Sequence, residues 1–214
     1  MTTPPFRAET ISGYRWHSST LGCAHAYLLK PVFDIVERQA KLSQTKRIFD
    51  LGCGNGSVAA ELCKMGFTVS GVDPSEEGIK LANESYPHLD LRPGSAYDPL
   101  PERYGKFPMV LSLEVVKHVY HPRRYASCIY ELLEENRIAI LSTPYHGYLK
   151  NLAMALTGKL DDHFTALWDY GHIKFWSEKT LALLLKEAGF RSVEFMRVGR
   201  IPVLAKAMIA VAQK

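Results

Sequence analysis

The sequence predicts an α/β fold: a mostly parallel sheet with helices on both faces and one antiparallel strand near the C-terminus. Three observations carry that expectation. From Ile48 to Leu141, short apolar runs alternate with helical patterns, as a parallel sheet with crossover helices requires. The stretch RIFDLGCGNGSVAAELCKMGFTVSGVD, Arg47 to Asp73, is a complete strand–glycine turn–helix–strand unit. Two final strand patterns, Val193–Val198 and Val203–Val211, share only a short connection, which suits an antiparallel pair.

Taken in order, residues 1–20 are polar and turn-rich, with Tyr14 and Trp16 as large anchors, and read as a packed arm; such arms also fold over bound cofactors. From Ala24 to about Ala40, Leu28, Val32, Ile35 and Val36 describe an amphipathic helix that starts or kinks at Pro31. In the central unit, Ile48-Phe49 leads to Asp50 at a strand end, followed by Gly52, Gly54 and Gly56. Val58, Leu62 and Met65 fall on one helical face, and Gly66 stops that helix. Strand Val69–Val72 then ends on Asp73. Pro74-Ser75-Glu76-Glu77 starts the next helix, with Ser75 as its cap and two acids at the positive end of the dipole. Leu89–Leu91 is a third strand, and Met109–Leu113 a fourth that runs into Glu114-Val115-Val116-Lys117-His118-Val119. A helix from Pro122 buries Ala126, Ile129 and Leu133, and Ile138–Leu141 is the fifth strand. Tyr145–Trp176 is too long for a plain connection and rich in His and aromatics. Ser177 caps a leucine-rich helix that ends at Gly189.

With 214 residues and 47% hydrophobic content, the chain suits a single domain, 1–214, with residues 1–43 as an N-terminal arm and helix and 145–176 as a substrate lid. The net charge of +4 is scattered, and no basic run is interleaved with aromatics, so nucleic acid is not an expected partner. Cys23, Cys53, Cys63 and Cys128 make no CxxC pair or metal spacing. Cys53 and Cys63 read as small buried fillers, which implies a reducing compartment. No signal-peptide core and no 18-residue apolar run occurs, so a cytoplasmic protein without an integral membrane segment is expected. Oligomeric state is not legible.

The strand–turn–helix–strand unit brings backbone close to a nucleoside and offers Asp73 to ribose hydroxyls. A dinucleotide fingerprint starting at Gly52 would need glycine at position 57, which is Ser57. The pattern D-x-G-x-G-x-G also sets Asp50 where it would repel a pyrophosphate and welcome a cationic amino group. S-adenosylmethionine (SAM) has that group and no phosphate. These residues resemble motif I and the following acidic site of class I SAM-dependent methyltransferases. The resemblance implies a Rossmann-like, seven-stranded sheet with one antiparallel strand. It also implies cofactor contacts at Asp50, Gly52, Cys53, Gly54, Asp73, Pro74, Leu113 and Glu114, with Ser95 and Ala96 at the adenine edge.

The segment LEVVKHVYHP resembles the E-V-x-E-H-V-x-x-P segment of the ubiquinone-biosynthesis O-methyltransferase group, whose members methylate phenolic hydroxyls on quinone precursors. In some members the two acids and the histidine bind a divalent metal. Here Glu114 and His118 match, but the second acid is Lys117, whose ammonium supplies no lone pair, so no metal is expected. Pro108 and Glu134-Glu135-Asn136 also depart from the pattern without touching cofactor positions. Methyl transfer needs alignment and removal of a proton from the acceptor, and His118 is the expected base. Within the lid, His146, His163, Trp168 and His172 are the expected acceptor contacts, among the aromatics Tyr148, Phe164, Tyr170 and Phe175. Residues 148–156 form a short amphipathic helix whose stripe (Leu149, Leu152, Ala153, Leu156) covers the pocket or makes peripheral contact with a membrane carrying a lipid quinone. The leading expectation is an O-methyltransferase for a small phenolic or quinol-like acceptor. Alternatives are an N-, C- or sugar O-methyltransferase and a non-catalytic SAM-binding regulatory protein.

Overall fold

The computed structural model describes Trp16 and residues 18–22, 24–164, 166–168 and 171–214, with backbone alone at Asp162. The expectations placed on Tyr14, Cys23 and Tyr170 lie outside the described residues. In chain order the elements are α1 (His25–Ser43), β1 (Arg47–Leu51), α2 (Ser57–Lys64), β2 (Thr68–Asp73), α3 (Glu76–Ser85), β3 (Asp90–Pro93), α4 (Leu100–Tyr104) and β4 (Phe107–Leu113). There follow α5 (Pro122–Leu132), β5 (Leu133–Pro144), α6 (Tyr148–Leu156), α7 (Leu160–Phe164), α8 (Glu178–Glu187), β6 (Ser192–Val198) and β7 (Ala207–Gln213).

The seven strands form one sheet in the order β3-β2-β1-β4-β5-β7-β6. The pairings among β1 to β5 are parallel, and β7 runs antiparallel to both β5 and β6. This is the Rossmann-like, mostly parallel sheet that the sequence predicts, with its single reversed strand. Strand order reverses between β1 and β4, so a crevice opens beyond their carboxyl ends.

Both faces are covered, which is why the central strands read as nearly continuous apolar runs. Phe49 and Leu51 of β1 join Tyr125 and Ile129 of α5 in one core, while Ile48 joins Leu28 and Val32 of α1 and Leu62 of α2 in the other. A buried relay ties three elements together. The Tyr125 hydroxyl donates to Ser112 Oγ at 2.8 Å, and Ser112 Oγ donates to the Leu51 carbonyl at 2.7 Å. Each bond contributes about 1 kcal/mol net, and each would leave a costly orphan if broken from one side.

Local signals act where expected. Gly66 has φ 85° just past α2. Ser75 Oγ accepts the Gly78 amide at 3.0 Å at the start of α3. Ser177 and Thr180 form a reciprocal capping box on α8. Several boundaries differ from expectation. Helix α1 begins at His25 and carries Pro31 inside it. Leu133 opens β5 instead of closing α5, and the ladder shifts register between Phe107 and Met109, beside Asn136 at φ 61°. Val203 lies in a 3₁₀ turn, Pro202–Leu204, and β7 starts only at Ala207. Cys63 is half-buried and not a core filler, whereas Cys53 is buried.

The excursion after β5 holds the expected helix, α6, but α6 has no buried residue. Leu149 is 62% exposed and Leu156 79%, so the stripe does not cover the pocket. Among the described residues no helix is long and apolar enough to cross a membrane.

Candidate functional site

The carboxyl ends of β1, β2 and β4 open on one cavity of about 380 Å³, within the size range of small-molecule sites. Asp50, Gly52, Cys53, Asp73, Pro74, Ser95, Ala96, Leu113, Glu114, His118 and Trp168 all line it. Gly54, also an expected cofactor contact, does not line it; the Trp16 ring lies against that glycine.

The glycine turn folds as it does because Gly52, Gly54 and Gly56 have φ of 89°, 53° and 74°, the left-handed region that glycine adopts without penalty. Its backbone holds Asp73. The Gly54 amide donates to Asp73 Oδ2 at 2.9 Å, and the Ser75 amide donates to Oδ1 at 2.8 Å. Burial pushes the Asp73 carboxyl up to about 6, against the pull of those two amides. Asp50 is pushed up to about 7, first by burial and then by the charge of Asp73. Two buried carboxylates side by side favour a cation. The ammonium and sulfonium of SAM fit that demand, and the hydroxyls of a ribose fit the accepting oxygens of Asp73.

The amino-terminal arm belongs to the site, a role that its polar sequence underplays. Trp16, Gly22, Ala24 and His25 line the cavity. A Cβ added at Gly54 would sit 2.3 Å from the Trp16 ring, and one at Gly78 would sit 2.9 Å from it, so the indole lies directly on the glycine turn. Asn55 clips the arm down by donating to the carbonyls of Ser18 (2.8 Å) and Thr20 (3.0 Å), while its own Oδ1 accepts from Ser57. The Tyr86 hydroxyl donates to the Ser19 carbonyl at 2.8 Å. A large aromatic in an otherwise polar segment was the available signal. His25 had no such signal; its Nδ1 accepts the Gly22 amide at 2.8 Å, and burial lowers its pKa.

In the loop after β3, the Ser95 amide donates to Asp98 Oδ2 at 2.7 Å, and Ser95 Oγ accepts from the Tyr97 amide at 3.3 Å. Those bonds close the turn and fix Ala96 and Tyr97 on the wall.

The end of β4 carries the groups suited to chemistry. Glu114 is held in the left-handed region, φ 63°, by its amide donating to Ser142 O and Ser142 Oγ. Its Oε1 accepts from Ser142 Oγ at 2.8 Å, and its Oε2 is ion-paired with Lys117. The lysine that replaces the family's second acid thus engages the first one. Among the described residues, no group of three or more His, Cys, Asp or Glu side chains is arranged to hold a metal. His118 Nδ1 lies 2.9 Å from the Gly171 carbonyl. A carbonyl can only accept, so Nδ1 is the donor in that bond. Trp168 and His172 stand edge-on to the His118 ring, with centroids at 5.7 and 5.3 Å.

Of the expected acceptor residues, Trp168 reaches the main cavity. His146 and His172 line an adjoining recess with Asn151, Phe164 and Phe175, and the His163 ring packs against that of His146 at a tilt of 59°, with centroids 5.0 Å apart. His172 links the recess to His118. Burial lowers the pKa of His146 to about 4, with His163 and Lys150 adding to it, and that of His172 to about 3, with Lys117 and His118 adding.

Residues 24–194 match the family model described as a methyltransferase domain. The ubiquinone biosynthesis O-methyltransferase of Caulobacter sp. (strain K31) is 37% identical over 116 residues, which is 52% of this chain and 46% of that protein. The chain thus spans about half the length of that relative. The enzyme of the same name from Ruegeria sp. (strain TM1040) is 30% identical over 77% of this chain and 68% of its own length. Among solved structures, the magnesium protoporphyrin IX methyltransferase of Synechocystis PCC 6803, with bound SAH, superposes with a TM-score of 0.64 at 19% identity, covering 86% of this chain and 82% of that one. An O-methyltransferase family protein from Burkholderia thailandensis gives 0.65 at 14% identity, over 87% and 56%.

Proposed function

We infer the reaction from one premise: this chain belongs to the methyltransferase-domain family, whose cofactor is SAM. The reading is O-methylation of a small phenolic or quinol-like acceptor, with His118 as general base. The observation that carries it is the position of His118. It shares the cavity wall with Asp50 and Asp73, and its Nδ1 is committed to Gly171 O.

When bound, SAM supplies a methyl group activated by its sulfonium. Asp50 would meet its cationic amino acid end, and Asp73 would accept from its ribose hydroxyls. Ser95 and Ala96 would hold the adenine, and Leu113 and Glu114 would line the side toward the acceptor. Orientation provides most of the acceleration, since a positioned pair reacts as a single unit. His118 takes the acceptor proton on Nε2 as the oxygen becomes nucleophilic, and Gly171 O supports the charge that forms on the ring. Residues 145–176 are the substrate lid. Trp168 provides an aromatic wall, while His146, His163 and His172 shape the recess beyond His118 for the remainder of the acceptor. The exposed stripe of α6 suits peripheral contact with a membrane from which a lipid-soluble acceptor is drawn.

The test is transfer of labelled methyl from SAM to phenols, catechols, quinols, amines and sugars, with and without a chelator. Transfer to phenolic hydroxyls, insensitive to chelator, is expected. His118→Gln should lower kcat by about 10²-fold or more, the scale of general-base catalysis, with SAM affinity retained. Full activity in that variant removes the base, and transfer confined to amines or sugars removes the acceptor class.

A further inference from the structure

We propose that Lys117 determines acceptor specificity: its ammonium anchors an anionic oxygen that the acceptor carries beside the hydroxyl facing His118. The proposal rests on the phenolic O-methylation read above and names which phenols are preferred.

Lys117 is 8% exposed, yet it lines the cavity, and it is the one Lys or Arg on that wall among the described residues. Its backbone is held firmly, because its carbonyl accepts from the amides of Ile173 (3.0 Å) and Lys174 (3.1 Å). The side chain therefore starts from a fixed point. Glu114 holds the ammonium from one side and is itself fixed by Ser142. An ammonium has three donors, and Glu114 is its hydrogen-bond partner among the described residues. His118 is the next residue in a turn closed by its amide donating to Val115 O at 2.8 Å, and it lines the same wall.

A buried ammonium retained for stability alone is a poor bargain, since ion pairs out of water regain their hydration only with further partners. A second anion in hydrogen-bond contact with Nζ lies farther from Glu114 than from the ammonium. Coulomb attraction at the short distance exceeds repulsion at the longer one, because the interaction falls with separation. A neutral phenol draws little from this arrangement. An acceptor with a carboxylate or phenolate adjacent to its hydroxyl draws a charge-assisted hydrogen bond that also directs the hydroxyl toward His118.

The test uses the full chain saturated with S-adenosylhomocysteine and titrated calorimetrically with 2-hydroxybenzoate and with phenol. Wild type should bind 2-hydroxybenzoate at least about tenfold more tightly. Lys117→Met should bring the two affinities together, and Lys117→Arg should retain the preference. If Lys117→Met unfolds because Glu114 is stranded, Glu114→Gln/Lys117→Met removes the pair together, and loss of the preference is expected there as well. Equal affinities in wild type, or a preference that survives the methionine variants, overturns the proposal. Labelled transfer to the same two compounds separates it from the functional reading. Transfer without a Lys117-dependent preference sinks only the anchor. Lys117-dependent binding with no transfer to any phenol sinks the phenolic reading and leaves the anchor.

Discussion

Replacing Asp50 by Asn should make the cofactor-free protein less sensitive to alkaline pH. Asp50 is almost fully buried beside Asp73, and its carboxyl is pushed from 3.8 up to about 7. At about 1.4 kcal/mol per pH unit, the ionised form costs the fold about 4 kcal/mol. The sign follows from proton counting. Between pH 4 and pH 7 the folded state holds a proton that the unfolded state has released, so stability falls as pH rises through that window. From pH 5 to pH 8 the loss attributable to Asp50 is about 2–3 kcal/mol. His146 and His172 act in the opposite direction. Their folded pKa values are depressed, so their contribution is complete above 6.5 and is lost as pH falls. The total profile of wild type is therefore a blunt dome, and only the difference between Asp50→Asn and wild type isolates the carboxylate. Denaturant unfolding at pH 5 and pH 8 measures it. The variant should gain about 2–3 kcal/mol relative to wild type between those two conditions. SAM should stabilise wild type more at pH 8 than at pH 5, because the bound cation requires the ionised carboxyl. A difference that is flat with pH, or that grows toward acid, would refute the assignment of Asp50 as a buried, cation-seeking group.

Three further outcomes are expected. Asp73→Ala removes the acceptor of the Gly54 and Ser75 amides and the partner for a ribose; calorimetry should show SAM affinity lowered by about 10–100-fold, the scale of charged hydrogen bonds, and unchanged affinity excludes the ribose role. Gly54→Ala places a Cβ 2.3 Å from Trp16 at a φ of 53°. It should cost about 2 kcal/mol or more and shift the tryptophan emission, both read in one unfolding series. His146→Phe should flatten the acid side of the stability profile between pH 6.5 and pH 4, since it removes one neutral buried imidazole; an unaltered acid limb in urea titrations counts against burial as the cause.

The sheet and the placing of Asp50 and Asp73 on the cavity were legible because each depends on local grammar. Gly52, Gly54 and Gly56 need positive φ, Asp50 and Asp73 close apolar runs, and Ser75 and Ser177 cap helices within four residues. The place of His25 in the site was not legible, and that of Trp16 showed only as a large aromatic in a polar arm, because the arm is held down by Asn55 and Tyr86 reaching back across many residues. The same limit applies to the recess. The histidines of residues 145–176 were visible as a composition, but the packing of the His163 ring against that of His146, apart from the main cavity, is a tertiary result. The late start of β7 was missed because Val203 and Leu204, apolar in the pattern, lie in the 3₁₀ turn Pro202–Leu204.

The carbonyls of residues 116 and 117 accept hydrogen bonds from the far end of the 145–176 segment: Trp176 Nε1 donates to Val116 O, and the amides of Ile173 and Lys174 donate to Lys117 O. His118 adds its bond to Gly171 O. The turn at residues 115–118, which carries the proposed base, and the segment 171–176 are therefore tied together by these bonds. On the proposed function, a mutation that moves residues 171–176 should also move His118. Selectivity and turnover in this protein should consequently drift together during laboratory evolution, and a lid transplanted from a relative should bring its own catalytic turn with it.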